Sequence, residues 1–212
     1  MTENIEVFTQ NSIRITAEGK NIYVDPFQIK IDPHDADYIL ITHDHYDHFS
    51  PEDIEKVSEN KTVLIVPEKM EHKAQEVSGY VSKTIAIRPG ESYNVDSLAF
   101  DTVPSYNIMR PFHPKSAGWV GYILHINGKS IYIAGDTDLI KEIRGIKCDI
   151  ALVPVGGTYT MDAKKAAEFV NLIEPSVAIP VHYGNLVGDP SDGKKFASNV
   201  KESIKVELKI KY

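Results

Sequence analysis

The sequence predicts an α/β protein in which two β-sheets carry helices on their outer faces. Short, β-rich runs come first along the chain, and segments that mix strands with helices follow them. The same order then repeats, so the chain divides into two similar halves. A length of 212 residues suits one large domain with a substantial core, and we expect a single domain over residues 1–212.

The first half begins with three short runs separated by polar turn residues, which is typical of a meander. A helix is predicted over 50–60, because Ser50 can cap it and Pro51 suits its first turn. A second helix is predicted over 68–79, ended by Gly79. The strands predicted in this half are residues 5–9, 12–17, 21–25, 38–42 and 62–67.

The second half is also rich in strands. The pair Asn127-Gly128 between two apolar runs is a strong signal for a hairpin. A helix is predicted over 162–173 with Asp162 as its cap, and a last helix lies within 191–204. The strands predicted in this half are residues 83–87, 97–105, 118–126, 129–136, 149–155, 176–182 and 205–210.

The composition indicates which kind of binding partner and which cellular compartment to expect. The chain has 23 basic and 30 acidic residues, a net charge of −7, which disfavours binding to extended nucleic acid. A single cysteine, Cys148, excludes an intrachain disulfide and fits a reducing compartment. We find neither a signal peptide pattern at the start nor an apolar run of bilayer length. We therefore expect a soluble, cytoplasmic protein whose partner is a small molecule, with no nucleic acid and no membrane.

Imidazole and carboxylate side chains concentrate where predicted buried strands end, which is where loops on a rigid scaffold collect functional groups. Neutral imidazole and carboxylate together are ligands for zinc, iron and manganese. Without a metal, carboxylates this close would repel one another. A solvated polar turn would explain a lone histidine, but not this spacing, so the sequence predicts a metal site. The residues concerned are His43, Asp44, His45, Asp47, His48, Asp136 and His182.

Three of these motifs resemble those of the metallo-β-lactamase superfamily. "THDHYDH" (42–48) looks like its signature, and "GDTD" (135–138) and "PVHYG" (180–184) match its later motifs in order. The resemblance spans most of the chain and implies a four-layer αβ/βα sandwich of two mixed sheets. "IYVDPF" (22–27) and "YIAGDTD" (132–138) are further similar to the small hydrolases related to ascorbate-6-phosphate lactonases.

The resemblance also implies a set of metal ligands. Two divalent ions would bind, with zinc expected first and manganese or iron as alternatives. Asp44 holds the variable position of the signature and is not implied as a ligand. The implied ligands are His43 and His45 for metal 1, Asp47, His48 and His182 for metal 2, and Asp136 as the bridge.

One ligand of metal 1 departs from the family pattern. The family normally supplies a third histidine from a strand end that here reads "DTVPSYN" (101–107), where Tyr106 stands in its place. His113 is the nearest substitute, and it could bind either the metal or the substrate. Asp25 also has two interpretations. It could orient a ligand imidazole, or it could form a turn before Pro26.

The reaction implied is hydrolysis by a hydroxide held between the two metals. Two cations in the loop 105–118 suggest an anionic substrate, such as a small ester, lactone or phosphodiester. A nuclease of the same superfamily is one alternative, although length and charge disfavour it, and a non-hydrolytic di-iron or metal-binding protein is another. The predicted catalytic residues are Asp136, Asp47 and Tyr183, and the predicted substrate contacts are Tyr106, Asn107, Arg110 and Lys115.

Overall fold

Two mixed β-sheets face each other in the computed structural model, which describes residues 2–211. In the first sheet the strands lie side by side in chain order. The first three form the predicted antiparallel meander, and the later neighbours pair in parallel. The strands are β1 (Ile5–Val7), β2 (Ile13–Ala17), β3 (Lys20–Val24), β4 (Ala36–Leu40), β5 (Ser58–Pro67) and β6 (Lys83–Ile87).

The second sheet reverses this order, with its last strand at one edge and its first strand at the other. Its first four strands pair antiparallel and its last four pair in parallel. The strands are β7 (Ser92–Val95), β8 (Leu98–Pro104), β9 (Val120–Ile126), β10 (Lys129–Ile133), β11 (Ile150–Pro154), β12 (Val177–Val181) and β13 (Lys205–Val206).

Helices cover the outer face of each sheet. The central core lies between the sheets and takes apolar side chains from both. A second core lies under α1 and α2, and a third lies under α3 and α4. The predicted four-layer sandwich is confirmed. No helix within residues 2–211 is long and apolar enough to cross a bilayer. The helices are α1 (Pro51–Val57), α2 (Glu71–Ala74), α3 (Ala163–Ile173) and α4 (Asp192–Asn199).

Most local signals in the sequence were correct. Ser50 caps α1 by accepting a hydrogen bond from the Asp53 N–H, and Asp162 caps α3 in the same way from Lys165. Asn127 and Gly128 have φ values of 51° and 68°, as a tight turn of the hairpin β9–β10 requires.

The main differences from the prediction concern the last strand, two helices and one edge strand. The strand expected over 205–210 ends at Val206, and Ile210 forms only an isolated bridge with Val7. The helix expected over 50–60 ends at Val57, because Ser58 pairs with β4 and starts β5. The helix expected over 68–79 is one α-helical turn between two 3₁₀ turns. Strand β7 was not predicted, since its sequence "SYNV" has no apolar run and lies at the exposed edge of its sheet.

At Gly121, strand β9 passes close to the backbone at the end of β10, which leads into the "GDTD" motif. A Cβ atom added to Gly121 would lie 2.7 Å from the carbonyl oxygen of Ile133 and 2.8 Å from that of Ala134. Both neighbours are backbone atoms, so they cannot move aside as a flexible side chain could. Only glycine fits here without moving β10.

We therefore expect Gly121→Ala to lower the free energy of unfolding by ~1–3 kcal/mol, as overpacking of a buried site does. Gly79→Ala is the matched control, because Gly79 has no atom within 4 Å of an added Cβ and no positive φ. Urea unfolding of both variants measures the difference. Equal stability of the two variants would show that β9 and β10 are not this tightly apposed.

Candidate metal centre

Loops that follow four strands meet at one edge of the two sheets. Residues 42–48 follow β4, and His113 lies in the loop after β8. Asp136 follows β10, and His182 follows β12 directly. Each of these strands points its carboxyl end toward the same edge, so side chains distant in sequence become neighbours.

The first cluster consists of three histidines. One ring nitrogen from each of His43, His45 and His113 lies within 4.8 Å of the others. The Nε2 atom of His43 is 3.1 Å from Nδ1 of His45. His113, predicted either as a metal ligand or as a substrate contact, is 1% exposed and takes the place that Tyr106 leaves. Its position favours the ligand interpretation.

The second cluster consists of Asp47, His48 and His182. Its candidate ligand atoms also lie within 4.8 Å of one another. The Nε2 atoms of the two histidines are 3.2 Å apart. Asp47 Oδ2 lies 3.3 Å from Nε2 of His182 and 3.5 Å from Nε2 of His48. This is the set of residues predicted for metal 2.

Asp136 lies between the two clusters. Its Oδ2 atom is 3.3 Å from Nε2 of His113 and 3.3 Å from Nε2 of His182. Its Oδ1 atom is 3.5 Å from Nε2 of His48. One carboxylate therefore faces histidines of both clusters, which is the placement a bridging ligand needs.

These residues suit divalent metal ions on chemical grounds. His113 Nε2 and Asp136 Oδ1 are buried and make no hydrogen bond. In each cluster two imidazole nitrogens also lie only 3.1–3.2 Å apart. Buried polar atoms normally have partners. Cations bound here would supply partners for His113 Nε2 and Asp136 Oδ1, and imidazole with carboxylate is the donor set of zinc, manganese and iron.

The electrostatics of the pocket hold His43, Asp47 and Asp136 in the protonation states that metal ligands require. Burial, with the nearby charge of His48, holds the pKa of His43 well below its usual value, so the ring is neutral. Burial opposes ionisation of Asp47 and Asp136, but neighbouring histidines outweigh it and hold both pKa values well below the usual range. Burial also acts against a proton on His48, but Asp136 and Asp25 outweigh it and raise its pKa.

Asp25 supports the second cluster by holding the ring of His48. Its Oδ2 atom accepts hydrogen bonds from Nδ1 of His48 at 2.7 Å, from Oγ1 of Thr42 at 2.6 Å and from Nδ2 of Asn11 at 2.7 Å. This fixes the His48 ring so that Nε2 faces the cluster. Asp25 also has a φ of 45° before Pro26, so both interpretations of this residue hold.

Asn107, predicted as a substrate contact, instead supports His113. Its Oδ1 atom lies 2.8 Å from Nδ1 of His113, and its Nδ2 atom donates to the carbonyl oxygen of Tyr159 at 2.9 Å. The amide thus directs Nε2 of His113 inward, as Asp25 does for His48. Sequence reasoning placed Asn107 near the site but did not predict this contact with His113.

Three other predicted substrate contacts point elsewhere. Tyr106 Oη donates to Glu142 at 2.9 Å, and Lys115 Nζ pairs with the same carboxylate at 2.7 Å. The Arg110 guanidinium donates to the carbonyl oxygens of three residues in the loop between β11 and α3. The two cations on which the expectation of an anionic substrate depended therefore already have protein partners. The carbonyls that Arg110 binds are those of Gly157, Thr158 and Thr160.

Tyr183 also does not reach the pocket. Its ring is buried in the core beneath α3 and α4, against Gly193, where an added Cβ would lie 2.3 Å from the Tyr183 hydroxyl oxygen. Burial raises the pKa of this phenol. The catalytic role predicted for Tyr183 has no geometric support, because a residue next to a ligand in sequence need not share its direction.

Trp119 was not predicted as part of the site. Its ring centroid lies 4.9 Å from that of His43, 5.1 Å from that of His45 and 5.5 Å from that of His113. It therefore packs against all three rings of the first cluster. No motif marks it, since it stands at the start of an ordinary apolar run.

A cavity of about 280 Å³ opens over the clusters. Half of its lining consists of candidate metal ligands and half of aromatic or aliphatic residues. The lining residues are His45, Asp47, His113, Asp136, His182, Tyr46, Phe112, Tyr159, Leu186 and Val187.

Comparison with known proteins agrees with this arrangement of fold and motifs. Residues 4–182 match the β-lactamase superfamily domain. The chain belongs to the metallo-β-lactamase superfamily. It is 33% identical to a UPF0173 metal-dependent hydrolase from Thermoplasma acidophilum over 222 aligned positions, which cover 93% of each chain.

Solved structures share the fold of this superfamily member. A protein from Parabacteroides distasonis is 29% identical, with a TM-score of 0.81 over 98% of this chain and 93% of the other. The diiron β-hydroxylase CmlA from Streptomyces venezuelae, 13% identical, gives a TM-score of 0.77 over 96% of this chain and 52% of its own. The latter similarity concerns the fold alone.

Because Asp25 orients His48, we expect Asp25→Asn to weaken metal binding by ~10–100-fold, the usual effect of losing such a partner. Asp53→Asn is the matched control. Asp53 is also buried and accepts two backbone N–H bonds, from Gln28 and Ile29, but it touches neither cluster. Both variants should lose stability, and only the first should lose metal affinity in titrations against a chelator. Equal affinity of the two variants would contradict the orienting role.

Proposed function

We propose that the candidate metal centre binds two divalent cations and hydrolyses a small ester, lactone or phosphodiester. The protein is a metal-dependent hydrolase of the metallo-β-lactamase superfamily, and its relative from Thermoplasma acidophilum carries that description over nearly its whole length. The observation that carries the proposal is the position of Asp136, whose two oxygens face histidines of both clusters.

Each cluster would hold one ion. His43, His45 and His113 would hold the first, with zinc expected before manganese or iron. The second would take Asp47, His48 and His182. Bound there, two such ions lower the pKa of a water molecule and polarise the oxygen of the bond to be cleaved.

The protein's own carboxylates would position the attacking water. Asp136 and Asp47 are held ionised at neutral pH, so both can accept a hydrogen bond. Both also line the cavity beside His182, so a water and a substrate can reach them. Asp136 lies between the clusters and is best placed to orient the water. The sequence also lacks a serine or cysteine nucleophile motif, so a water-derived nucleophile suits this chain.

The type of bond is the finer part of the proposal. The resemblance to ascorbate-6-phosphate lactonase relatives favours a lactone. The nuclease alternative has less support, because Arg110 and Lys115 bind protein groups and the net charge is −7. The non-hydrolytic alternative is supported only by the fold shared with a diiron β-hydroxylase, and fold does not imply function.

We expect Asp136→Ala to lower kcat/KM by at least ~100-fold, beyond the effect of a supporting residue. Metal content should fall below two equivalents per chain, because the bridge between the clusters is lost. The measurements are turnover of metal-loaded protein on a panel of chromogenic esters, lactones and phosphodiesters, and elemental analysis. Asp44→Ala is the control, since Asp44 lies in the same motif but in neither cluster.

An Asp136→Ala variant that keeps both metals and full turnover would refute the bridging role. Absence of turnover by the wild-type protein on every substrate class, with a redox-active di-iron content, would favour the non-hydrolytic alternative.

A further inference from the structure

We propose that the substrate carries a neutral, apolar group about the size of one aromatic ring, and that five residues around the metal centre select it. We call these residues the apolar rim: Tyr46, Phe112, Tyr159, Leu186 and Val187. This inference rests on the proposed function and names the substrate class for the same site.

The rim residues expose apolar surface at the mouth of the cavity. Apolar side chains at the mouth of a pocket with a few convergent polar groups are typical of a ligand site. Here the polar groups are the candidate metal ligands. The exposed fractions of the larger rim residues are 66% for Tyr46, 46% for Phe112, 37% for Tyr159 and 40% for Leu186.

The rim is built as a rigid extension of the metal centre. Tyr46 stands between His45 and Asp47 in the chain, and Phe112 directly precedes His113. The rings of Phe112 and Tyr159 pack edge to face, with centroids 4.8 Å apart at 84°. A group that packs against this pair of rings would therefore lie at a defined distance from the metal ligands.

Hydrogen bonds fix the remaining parts of the rim. The Tyr159 carbonyl accepts from Asn107, which also contacts His113. Leu186 and Val187 lie in a turn after His182, closed by a hydrogen bond from Gly184 N–H to the Val187 carbonyl at 2.8 Å. Every rim residue is thus within a few positions of a candidate ligand or tied to one by hydrogen bonds.

The charges around the cavity argue against an anionic tail on the substrate. Among the residues that line it in the described part of the chain, none is lysine or arginine. The two cations in the loop over the site, Arg110 and Lys115, bind carbonyl oxygens and Glu142 respectively. A carboxylate or phosphate on the part of the substrate that lies against the rim would lose hydration without gaining an ion pair from a lysine or arginine of the lining.

The volume of the cavity sets the size of the group. An apolar cavity of ~150 Å³ is enough to hold benzene. The cavity here is about 280 Å³. It therefore has room for one ring together with the ester or lactone group that is to be cleaved.

The test is the binding of three hydroxamates to zinc-loaded protein, measured by calorimetry and by the fluorescence of Trp119. Trp119 is the only tryptophan and lies against the first cluster, so it reports events there. A hydroxamate chelates divalent metal ions through two oxygens, so the three probes share one anchor and differ only in their tails. The probes are acetohydroxamate, benzohydroxamate and the carboxylate-terminated succinic monohydroxamate.

We expect benzohydroxamate to bind at least ~10-fold more tightly than the other two probes, because its ring makes additional apolar contacts in the pocket. Phe112→Ala and Tyr159→Ala should each remove most of this preference, measured as the ratio of the Kd values of acetohydroxamate and benzohydroxamate. Leu172→Ala is the matched control, because Leu172 is 49% exposed on α3 and does not line the cavity.

The outcomes separate the two proposals. If the protein binds no zinc, or if zinc-loaded protein binds none of the probes, the metal centre itself is wrong and the inference falls with it. Equal binding of all three, or tightest binding of the succinic probe, would overturn the apolar selection and leave the metal centre standing. A Phe112→Ala variant that weakens all three probes equally would mean that Phe112 acts through His113, which also overturns the selection.

Discussion

The burial of ionised carboxylates among imidazoles at one sheet edge is the constraint on which the structure depends. Asp136 is 3% exposed and Asp47 is 8% exposed, and the groups that compensate their charges are histidines of the same loop and of other loops. Charge at this depth is stable only when paired or bound to metal. The two sheets therefore have to deliver their strand ends to one place, and the central core between them fixes that geometry.

Hydrogen bonds from neighbouring residues fix the direction of two of the candidate ligands. Asp25 holds His48, and Asn107 holds His113, each through the ring nitrogen that faces away from the cluster. Each partner comes from a different sheet, since Asp25 follows β3 and Asn107 follows β8. The protein's own hydrogen bonds thus position two of the candidate ligands, His48 and His113.

The sequence was most informative where a signal is local. Apolar runs located most of the strands, Ser50 and Asp162 marked helix starts, and the spacing in 42–48 indicated the metal centre. Side-chain direction was not predictable, because it depends on partners distant in the chain. Lys115 and Tyr106 turn to Glu142, and the rings of Phe112 and Tyr159 meet across the cavity mouth, although each pair is widely separated in sequence.

The most direct test of this account is anomalous diffraction from crystals grown with zinc, recorded on both sides of the zinc absorption edge. We expect two peaks per chain, one contacting His43, His45 and His113 and the other contacting Asp47, His48 and His182. Asp136 should contact both. A single peak, or zinc bound away from these seven residues, would contradict the two-ion centre.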